Sequence, residues 1–285
     1  MSIVFLNDSF MPMEEAKISP MDRGFLFGDG IYEVIPSYSG RMVGFALHIQ
    51  RMQSGLREIG IGLAWSEDKW RTLCENLINQ NGGGNLGLYL HVSRGADSKR
   101  FHAYADTLTP TVFAFAYPIP NPPVADKTQV AGYKVSTARD LRWQRCHIKS
   151  TALLGNVMHF QQGFERGAQE TLLFNINNEL TEASSSNVFI VKDGVVITPP
   201  LDHQLLPGIT RYILLDILRR DGAIDVEERT VTKDEVLGAD EVWVTSSSKE
   251  VMPVIEIDGQ PVGANGIGDV WLAAQTLYSR DKYRY

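Results

Sequence analysis

The sequence has few cysteines and no long hydrophobic run. Cys74 and Cys146 are its only cysteines in 285 residues, too few and too far apart for a disulfide framework or a zinc site. No stretch is long enough to span a bilayer, and the first residues have neither the basic region nor the apolar run of a signal peptide. We therefore expect a cytoplasmic protein with reduced thiols and no membrane association.

An excess of basic residues is also missing. The formal net charge is −7, which argues against nucleic acid or an anionic membrane as the main partner but leaves room for a local basic pocket that binds a small anion. The sequence contains no H-E-x-x-H, G-x-S-x-G or P-loop pattern, and its six histidines lack metal-ligand spacing. These absences disfavour metal and serine hydrolases, and we expect no metal.

The length of the chain predicts two domains. A chain of 285 residues exceeds the usual limit for one hydrophobic core. A proline-rich run at 118–126 has the composition of a stiff linker. We place an N-terminal domain at residues 1–120, a linker at 121–130 and a C-terminal domain at 131–285.

Hydrophobic periodicity predicts a mixture of strands and helices in both domains. Strands are expected at 3–6, 31–38, 88–93, 110–118, 171–175, 187–192, 195–198 and 241–244. Helices are expected from residue 48, at 66–81, at 151–166, from 206–211 to Arg220, and at 269–280. Gly82, Gly84 and Gly87 fit G-x-G-x-x-G, but they follow a helix and precede a strand, so they predict a helix end rather than a nucleotide site.

Lys149 is the first candidate for chemistry. It follows the aliphatic Ile148 and precedes an apolar run, so its amine is expected to be half-buried. Burial disfavours the charged form of an amine, and lysine forms Schiff bases when its pKa is lowered in this way. The alternative is an ordinary lysine whose charged end reaches solvent from an amphipathic segment.

Two cationic positions could bind an anion. Arg51 lies beside the predicted helical stripe of Ile49, Met52 and Leu56, either as a surface charge or as a ligand for phosphate or carboxylate. Arg100 and His102 lie in a cation-rich loop. Such a loop is either simply solvated or binds a carboxylate.

Three further segments offer polar groups. Glu182 precedes the hydroxyl run 184–186 and is either a turn residue or a buried acid held by hydrogen bonds. Gly208 precedes a helix whose first N–H groups could bind phosphate. Residues 245–248 form a second hydroxyl-rich turn. None of these signals is specific alone.

Taken together, the motifs resemble those of the fold-type IV pyridoxal-phosphate enzymes, and they occur in the order found in that family. The matching segments are Asp22-Arg23-Gly24, Phe27-Gly28-Asp29-Gly30-Ile31-Tyr32-Glu33, His48-Ile49-Gln50-Arg51, Ile148-Lys149, Leu154-Gly155-Asn156, Thr181-Glu182-Ala183-Ser184-Ser185-Ser186-Asn187 and Gly208-Ile209-Thr210-Arg211. The family includes D-amino-acid transaminases, branched-chain aminotransferases and aminodeoxychorismate lyases.

The resemblance implies an α+β fold with two domains. It implies a smaller N-terminal α/β sandwich, and a larger C-terminal domain with a β-barrel-like sheet that carries the Schiff-base lysine. It further implies that pyridoxal 5'-phosphate binds at the domain interface and that the enzyme is a homodimer.

The resemblance also implies roles for the candidate residues. Lys149 matches the lysine that forms a Schiff base with the cofactor and then moves the substrate proton. Glu182 matches the acid that pairs with the pyridine nitrogen, which keeps the ring able to accept electrons. The phosphate ligands are matched by Arg51, by the backbone of Ile209 and Thr210, and by the hydroxyl of Ser247.

The subfamily depends on how the substrate carboxylate is bound. Tyr32, Arg100 and His102 match the carboxylate-binding trio of D-amino-acid transaminases, in which the Arg-x-His loop enters the neighbouring subunit's active site. Branched-chain aminotransferases have a different sequence near Tyr32, and the lyases usually lack the Arg-x-His pair. We expect ping-pong transfer from a D-alanine-type donor to a 2-oxo acid. A lyase, a branched-chain aminotransferase and an R-selective amine transaminase are the alternatives.

Overall fold

The computed structural model describes residues 2–105, 107–263 and 266–285, and the chain divides into two units. The first unit contains Met1–Asn121, Ile148–Leu153 and Tyr285. The second contains Pro122–His147 and Leu154–Arg284. Each unit has a sheet of its own.

The first unit is built on a six-stranded antiparallel sheet. Its strands are β1 (Ile3–Leu6), β2 (Ser9–Pro12), β3 (Gly30–Tyr38), β4 (Arg41–Met42), β5 (Asn85–Ser93) and β6 (Thr111–Pro118). They are arranged in the order β2-β1-β6-β5-β3-β4. Because side chains alternate along a strand, β3 and β5 bury Ile31, Ile35, Leu88 and Leu90 on one face.

Three helices accompany this sheet: α1 (Arg23–Phe27), α2 (Phe45–Glu58) and α3 (Glu67–Gln80). The apolar sides of α2 and α3 join the buried face of the sheet in one core. The glycines that follow α3 at 82, 83 and 84 all have positive φ, which confirms that this segment ends a helix.

The short helix α1 lies in a segment that the sequence analysis interpreted only as a glycine-rich connection. The Asp22 carboxylate caps it by accepting a hydrogen bond from Gly24 N at 2.8 Å. Gly28 ends it with φ 65°. Sequence periodicity could not detect a helix of five residues, because it contains little more than one turn.

The second unit contains a nine-stranded mixed sheet. Its strands are β7 (Tyr133–Arg139), β8 (Glu170–Phe174), β9 (Leu180–Ala183), β10 (Asn187–Lys192), β11 (Val195–Thr198), β12 (Val226–Glu228), β13 (Glu241–Ser246), β14 (Glu250–Ile257) and β15 (Gln260–Pro261). The main order is β12-β11-β10-β13-β14-β7-β8-β9, with β15 paired to β14.

This second sheet is curled. Only residues 184–186 connect β9 to β10, although β9 lies five strands away from β10 in the sheet order. In a flat sheet the two strands would be about 24 Å apart, whereas the connection can span at most about 15 Å. The curl therefore brings the edge strand β9 back to β10, as a β-barrel-like sheet requires.

Four helices complete the second unit. They are α4 (Leu154–Phe164), α5 (Ile209–Asp221), α6 (Lys233–Leu237) and α7 (Asp269–Asp281). The buried Trp271 of α7 donates from Nε1 to Val251 O at 2.8 Å, which ties this helix to β14. The predicted α+β class is confirmed, since each unit combines a sheet with helices.

The position of the lysine segment differs from the predicted domain division. The sequence predicts a C-terminal domain at 131–285 that contains Lys149, but Ile148–Leu153 belongs to the first unit. The reason is local pairing: Thr151 N donates to Gly30 O at 2.9 Å, and Ile148 joins the core of the first unit. The order of residues along the chain could not show that the segment 148–153 pairs with β3.

In the three ranges that the structure describes, every helix is too short or too polar to cross a lipid bilayer.

Candidate active site

Lys149 is fixed by its backbone to the start of β3. Tyr32 N donates to Lys149 O at 3.1 Å, and Ile31 and Ser150 form an isolated β-bridge. The Lys149 amine lies 4.2 Å from the centroid of the Tyr32 ring. The structure therefore brings together two of the predicted residues, the Schiff-base lysine and one member of the carboxylate-binding trio.

Glu33 orients Arg51. Glu33 lies on β3, and its side chain is on the opposite face of that strand from Tyr32. Arg51 Nε donates to Glu33 Oε1 at 2.7 Å, and Nη2 donates to Oε2 at 2.7 Å. His48 Nδ1 lies 2.6 Å from Glu33 Oε2. The fully buried Glu33 carboxylate therefore holds the Arg51 guanidinium in one orientation. A fixed orientation matters because the guanidinium is planar and binds an anion best in that plane.

The charge state of Glu33 supports this role. Burial alone would raise the pKa of Glu33, but Arg51 and His48 outweigh it and lower that pKa to about 2. Burial in turn lowers the pKa of His48 against the opposing effect of Glu33, while Arg51 and Lys149 lower it further. The cluster of Glu33, Arg51 and His48 therefore contains an ionised Glu33 carboxylate beside the permanently charged Arg51.

The sequence patterns predict no function for Glu33 or His48. A signal existed, because His48 and Arg51 are three residues apart and so share one face of α2. Glu33 alternates with Tyr32 on β3 and must point the other way. What the sequence could not show is that this face of α2 lies over this point of β3.

Arg100 and His102 extend from the surface of the first unit. Both side chains are exposed, and both lie beside Phe27. The Arg100 guanidinium carbon is 5.2 Å from the centroid of the Phe27 ring, and the His102 ring centroid is 5.4 Å from it. The exposed Arg100 guanidinium and His102 imidazole are available to bind a carboxylate.

In the second unit, the Glu182 carboxylate is buried on β9. Its Oε1 accepts a hydrogen bond from Arg142 Nη1, while Oε2 accepts from Leu206 N at 3.1 Å and from Asn187 Nδ2 at 3.3 Å. Burial raises the pKa of Glu182 to about 7, although Arg142 and Leu206 N act in the opposite direction. Glu182 is therefore the buried acid that its neighbouring hydroxyls suggested, not a turn residue.

Arg142 is a residue that the sequence analysis missed. Its side chain is 3% exposed, and it donates from Nε and Nη2 to both oxygens of Asp140 at 3.0 and 2.7 Å. Glu182 therefore shares this arginine with a second carboxylate. The two partners are 40 residues apart in the chain, so no local pattern could have indicated the pair.

The predicted phosphate ligands of the second unit lie at the start of α5 and at the turn after β13. Gly208 is the N-cap of α5 and provides no side-chain acceptor, so the leading N–H groups of Ile209 and Thr210 lack a side-chain cap. In the β13 turn, Ser247 is half-buried. Within the described ranges, Thr245 Oγ1 and Ser246 Oγ are buried with no hydrogen-bond partner.

Asn187 connects the start of α5 and the β13 turn to Glu182. Its side chain donates to Leu206 O at 2.8 Å as well as to Glu182, and its backbone is in register with Thr245 of β13. A Cβ atom on Gly208 would lie 2.0 Å from Asn187 Oδ1, so a larger residue there would displace the Asn187 side chain. The uncapped amides and unpartnered hydroxyls suit an oxygen-rich anion, and the structure adds Ser246 to the predicted set.

Across the described ranges, the structure contains no cluster of three or more His, Cys, Asp or Glu residues able to hold a metal ion.

Comparisons with known proteins give a consistent assignment. The model of the family described as "Amino-transferase class IV" matches residues 30–257. The chain is 41% identical to D-alanine aminotransferase of Bacillus licheniformis, an alignment that covers 96% of this chain and 94% of the relative. It is 36% identical to D-alanine aminotransferase of Staphylococcus haemolyticus, with 98% of both chains covered.

Solved structures share the fold at lower identity. The branched-chain amino acid aminotransferase of Escherichia coli superposes with a TM-score of 0.87 at 22% identity, covering 96% of this chain and 92% of that one. The T.th. branched-chain amino acid aminotransferase with pyridoxamine 5'-phosphate gives a TM-score of 0.87 at 22% identity, covering 99% and 94%.

The raised pKa of Glu182 predicts a pH dependence of stability. Between the ordinary value of 4.5 and about 7, folded protein freed of cofactor keeps a proton that the unfolded chain releases. Its stability relative to Glu182→Gln should therefore fall as the pH rises through this window, by about 3 kcal/mol in all. Urea unfolding of both proteins from pH 4.5 to 8 measures the difference.

The exposed Glu165→Gln variant is the matched control for loss of one carboxylate, and it should show a much smaller pH-dependent difference. A constant difference between wild type and Glu182→Gln at every pH would contradict the assignment.

Proposed function

Because this chain belongs to the class IV aminotransferases, which depend on pyridoxal phosphate, we propose that it transfers the amino group of a D-amino acid such as D-alanine to a 2-oxo acid. The observation that carries this proposal is the contact between the Lys149 amine and the Tyr32 ring at 4.2 Å. The amine that would transfer the proton and the tyrosine that would help to bind the carboxylate therefore belong to one unit. Identity of 41% to a D-alanine aminotransferase supports the choice of substrate.

Bound pyridoxal phosphate supplies an aldehyde that takes up the amino group and a ring that accepts the electron pair of the α-carbon. Lys149 is the residue that would hold this group through its side-chain amine. Once the substrate has taken its place, the same amine would carry the proton of the substrate α-carbon. The Tyr32 side chain beside this amine helps to orient the substrate.

Each unit contains groups that would suit a part of the cofactor. Glu182, itself hydrogen-bonded by Arg142 and Leu206 N, would hold the proton of the ring nitrogen. For the phosphate, Glu33 fixes the orientation of Arg51 in the first unit. In the second unit the ligands would be the N–H groups of Ile209 and Thr210 and the hydroxyls of Ser246 and Ser247.

The substrate carboxylate would be bound by the trio of Tyr32, Arg100 and His102. Since Arg100 and His102 are exposed, we assign them to the active site of a second copy of this chain. An exposed apolar side of α4 supports a homodimer, because such a patch usually marks an interface. It contains Leu154, Val157, Met158 and Phe164.

A reducing compartment fits the thiols, and we propose the cytoplasm. Cys74 and Cys146 are both buried and unpaired. Burial raises the pKa of each thiol to about 12, so neither is set up as a reactive thiolate.

An assay with paired substrates tests the function. The enzyme should convert D-alanine to pyruvate only when an oxo acid such as 2-oxoglutarate is added, and it should use L-alanine and (R)-1-phenylethylamine far more slowly. Pyruvate release from aminodeoxychorismate without an acceptor would instead indicate a lyase. Faster use of L-leucine would indicate a branched-chain aminotransferase, and faster use of the amine an amine transaminase.

Replacement of Lys149 tests the catalytic assignment. Lys149→Ala should lower turnover by about a thousandfold or more, since it removes both the proton carrier and the covalent attachment. It should also remove the visible absorbance of the lysine–cofactor Schiff base. The exposed Lys192→Ala variant is the control and should keep both properties, whereas an active and yellow Lys149→Ala protein would refute the assignment.

Replacement of Arg100 tests carboxylate binding. Arg100→Ala should raise KM for D-alanine by about tenfold to a hundredfold, the cost of a lost charge-assisted hydrogen bond. Cofactor absorbance should stay at the wild-type level. The exposed Arg57→Ala variant is the matched control, and an unchanged KM in Arg100→Ala would place carboxylate binding elsewhere.

Mixing the Lys149→Ala and Arg100→Ala variants tests the dimer. A hybrid of the two subunits contains one complete site if Arg100 acts in the neighbouring subunit, so activity at a low D-alanine concentration should return toward half of wild type. If Arg100 acts within its own subunit, the hybrid has no complete site and keeps the raised KM of Arg100→Ala.

A further inference from the structure

The motif Asp22-Arg23-Gly24 has no role in the proposed function, although its arginine is deeply buried. Arg23 is 3% exposed. Its Nη1 donates to Phe101 O at 2.6 Å, and its Nη2 donates to His102 O at 3.0 Å. One guanidinium therefore binds two successive carbonyl groups in the Arg100 loop, which we define as residues 97–105.

Asp29 holds Arg23 in place from the other side. Arg23 Nε donates to Asp29 Oδ2 at 2.8 Å. Arg94 donates to the same carboxylate through Nε at 2.8 Å and Nη2 at 2.9 Å. Burial opposes ionisation of Asp29, but hydrogen bonds from Arg94 and Arg23 lower its pKa below the ordinary value. Arg23 therefore has an anionic anchor at a fixed position.

The helix that carries Arg23 also supports the loop through an aromatic ring. The Arg23 guanidinium carbon lies 4.9 Å from the centroid of the Phe27 ring. Arg100 and His102 lie beside the same ring, at 5.2 and 5.4 Å. Helix α1 therefore binds the loop backbone through Arg23 and contacts the side chains of Arg100 and His102 through Phe27.

The residues on either side of Arg23 fix α1 itself. Asp22 caps the helix and accepts a hydrogen bond from Thr111 Oγ1 of β6 at 2.6 Å. A Cβ atom on Gly24 would lie 2.7 Å from Ser93 Cβ, so glycine lets α1 approach β5. Each residue of the motif thus contributes to a rigid support beneath an exposed loop.

We propose that Arg23 is a positioning residue for substrate specificity, which sets the placement of Arg100 and His102 and through them the affinity for the α-carboxylate. This inference rests on the proposed function, in which those two residues bind the carboxylate. Arg23 acts only through the loop and touches neither substrate nor reacting atoms.

Kinetics of an Arg23→Gln holoenzyme test the inference. Glutamine can donate to one carbonyl but cannot also pair with Asp29, so KM for D-alanine should rise by about tenfold. Turnover number should change by less than about threefold, because binding rather than the chemical step is affected. Visible cofactor absorbance should match that of wild type, and an unchanged KM would overturn the proposal.

Arg94→Gln is the matched control. It removes a similarly buried arginine from the same Asp29 carboxylate. Arg94 donates to Ile59 O and Gly60 O rather than to Phe101 and His102, and it contacts the loop through the Tyr104 ring, whose centroid lies 3.5 Å from its guanidinium carbon. The control therefore removes a different loop contact and keeps the backbone hydrogen bonds of Arg23. Its KM should stay within about threefold of wild type at a temperature where both variants are folded. Equal increases in KM for the two variants would show a general loss of structure and overturn the specific role of Arg23.

A double-mutant cycle of Arg23→Gln with Arg100→Ala distinguishes a positioning role from a merely structural one. The readout is the dependence of the KM increase on the presence of Arg100. If Arg23 acts through Arg100, Arg23→Gln should raise KM by less than about twofold once Arg100 is absent. Additive effects would contradict the proposal.

Hydrogen exchange of residues 97–105 tests the positioning independently of the substrate. Exchange in this segment should be about tenfold faster in Arg23→Gln than in wild type, and unchanged exchange would overturn the inference. Failure of the proposed function would appear differently, as wild-type protein that does not transaminate D-alanine at all.

Discussion

The backbone pairing of Gly30–Tyr32 with Lys149–Thr151 is the constraint on which the candidate active site depends. Tyr32 N donates to Lys149 O at 3.1 Å and Thr151 N donates to Gly30 O at 2.9 Å, so the lysine backbone cannot move independently of β3. Since β3 also carries Glu33 on its other face, one strand fixes the positions of the lysine, the tyrosine and, through Glu33, Arg51. A catalytic amine needs this precision, because small displacements of reacting groups cost large factors in rate.

Two buried carboxylates, Glu33 and Glu182, illustrate how partners rather than burial decide the charge. The pKa of Glu33 falls to about 2, whereas that of Glu182 rises to about 7. Glu33 receives two hydrogen bonds from Arg51 and one contact from His48. Glu182 receives one from Arg142, whose other donors serve Asp140. The partners of Glu182 therefore stabilise its ionised form too little to offset burial. A cationic group beside Glu182 would favour that ionised form.

Much of the fold follows from local patterns in the sequence. The strands at 3–6, 187–192 and 195–198 match β1, β10 and β11, and both long helices of the first unit are present. The short elements β2, β4 and α1 were not predicted, because two to five residues contain too little of any period. The strand β7 was missed as well, since a half-exposed strand between a linker and a loop gives no alternating apolar signal.

The candidate site is predictable only in part, for the same physical reason. Residue types and their order indicated Lys149, Glu182 and the anion ligands, because each lies in a motif of neighbouring residues. Their partners lie far away along the chain: Arg142 reaches Glu182 across 40 residues, and Arg23 reaches Phe101 across 78. Contacts of this kind are set by how strands and helices pack, which no single segment encodes.

The groups that would hold the cofactor and those that would choose the substrate differ in burial. Glu33 and Glu182 are buried on strands, and Thr210 is buried at the start of α5, so substitution there disturbs the core. Arg100 and His102 are exposed on a loop that buried residues hold at its backbone. The exposed side chains of such a loop can be substituted while the buried residues that hold its backbone stay the same. This separation allows the side chains that would bind the substrate to differ between enzymes that share the fold.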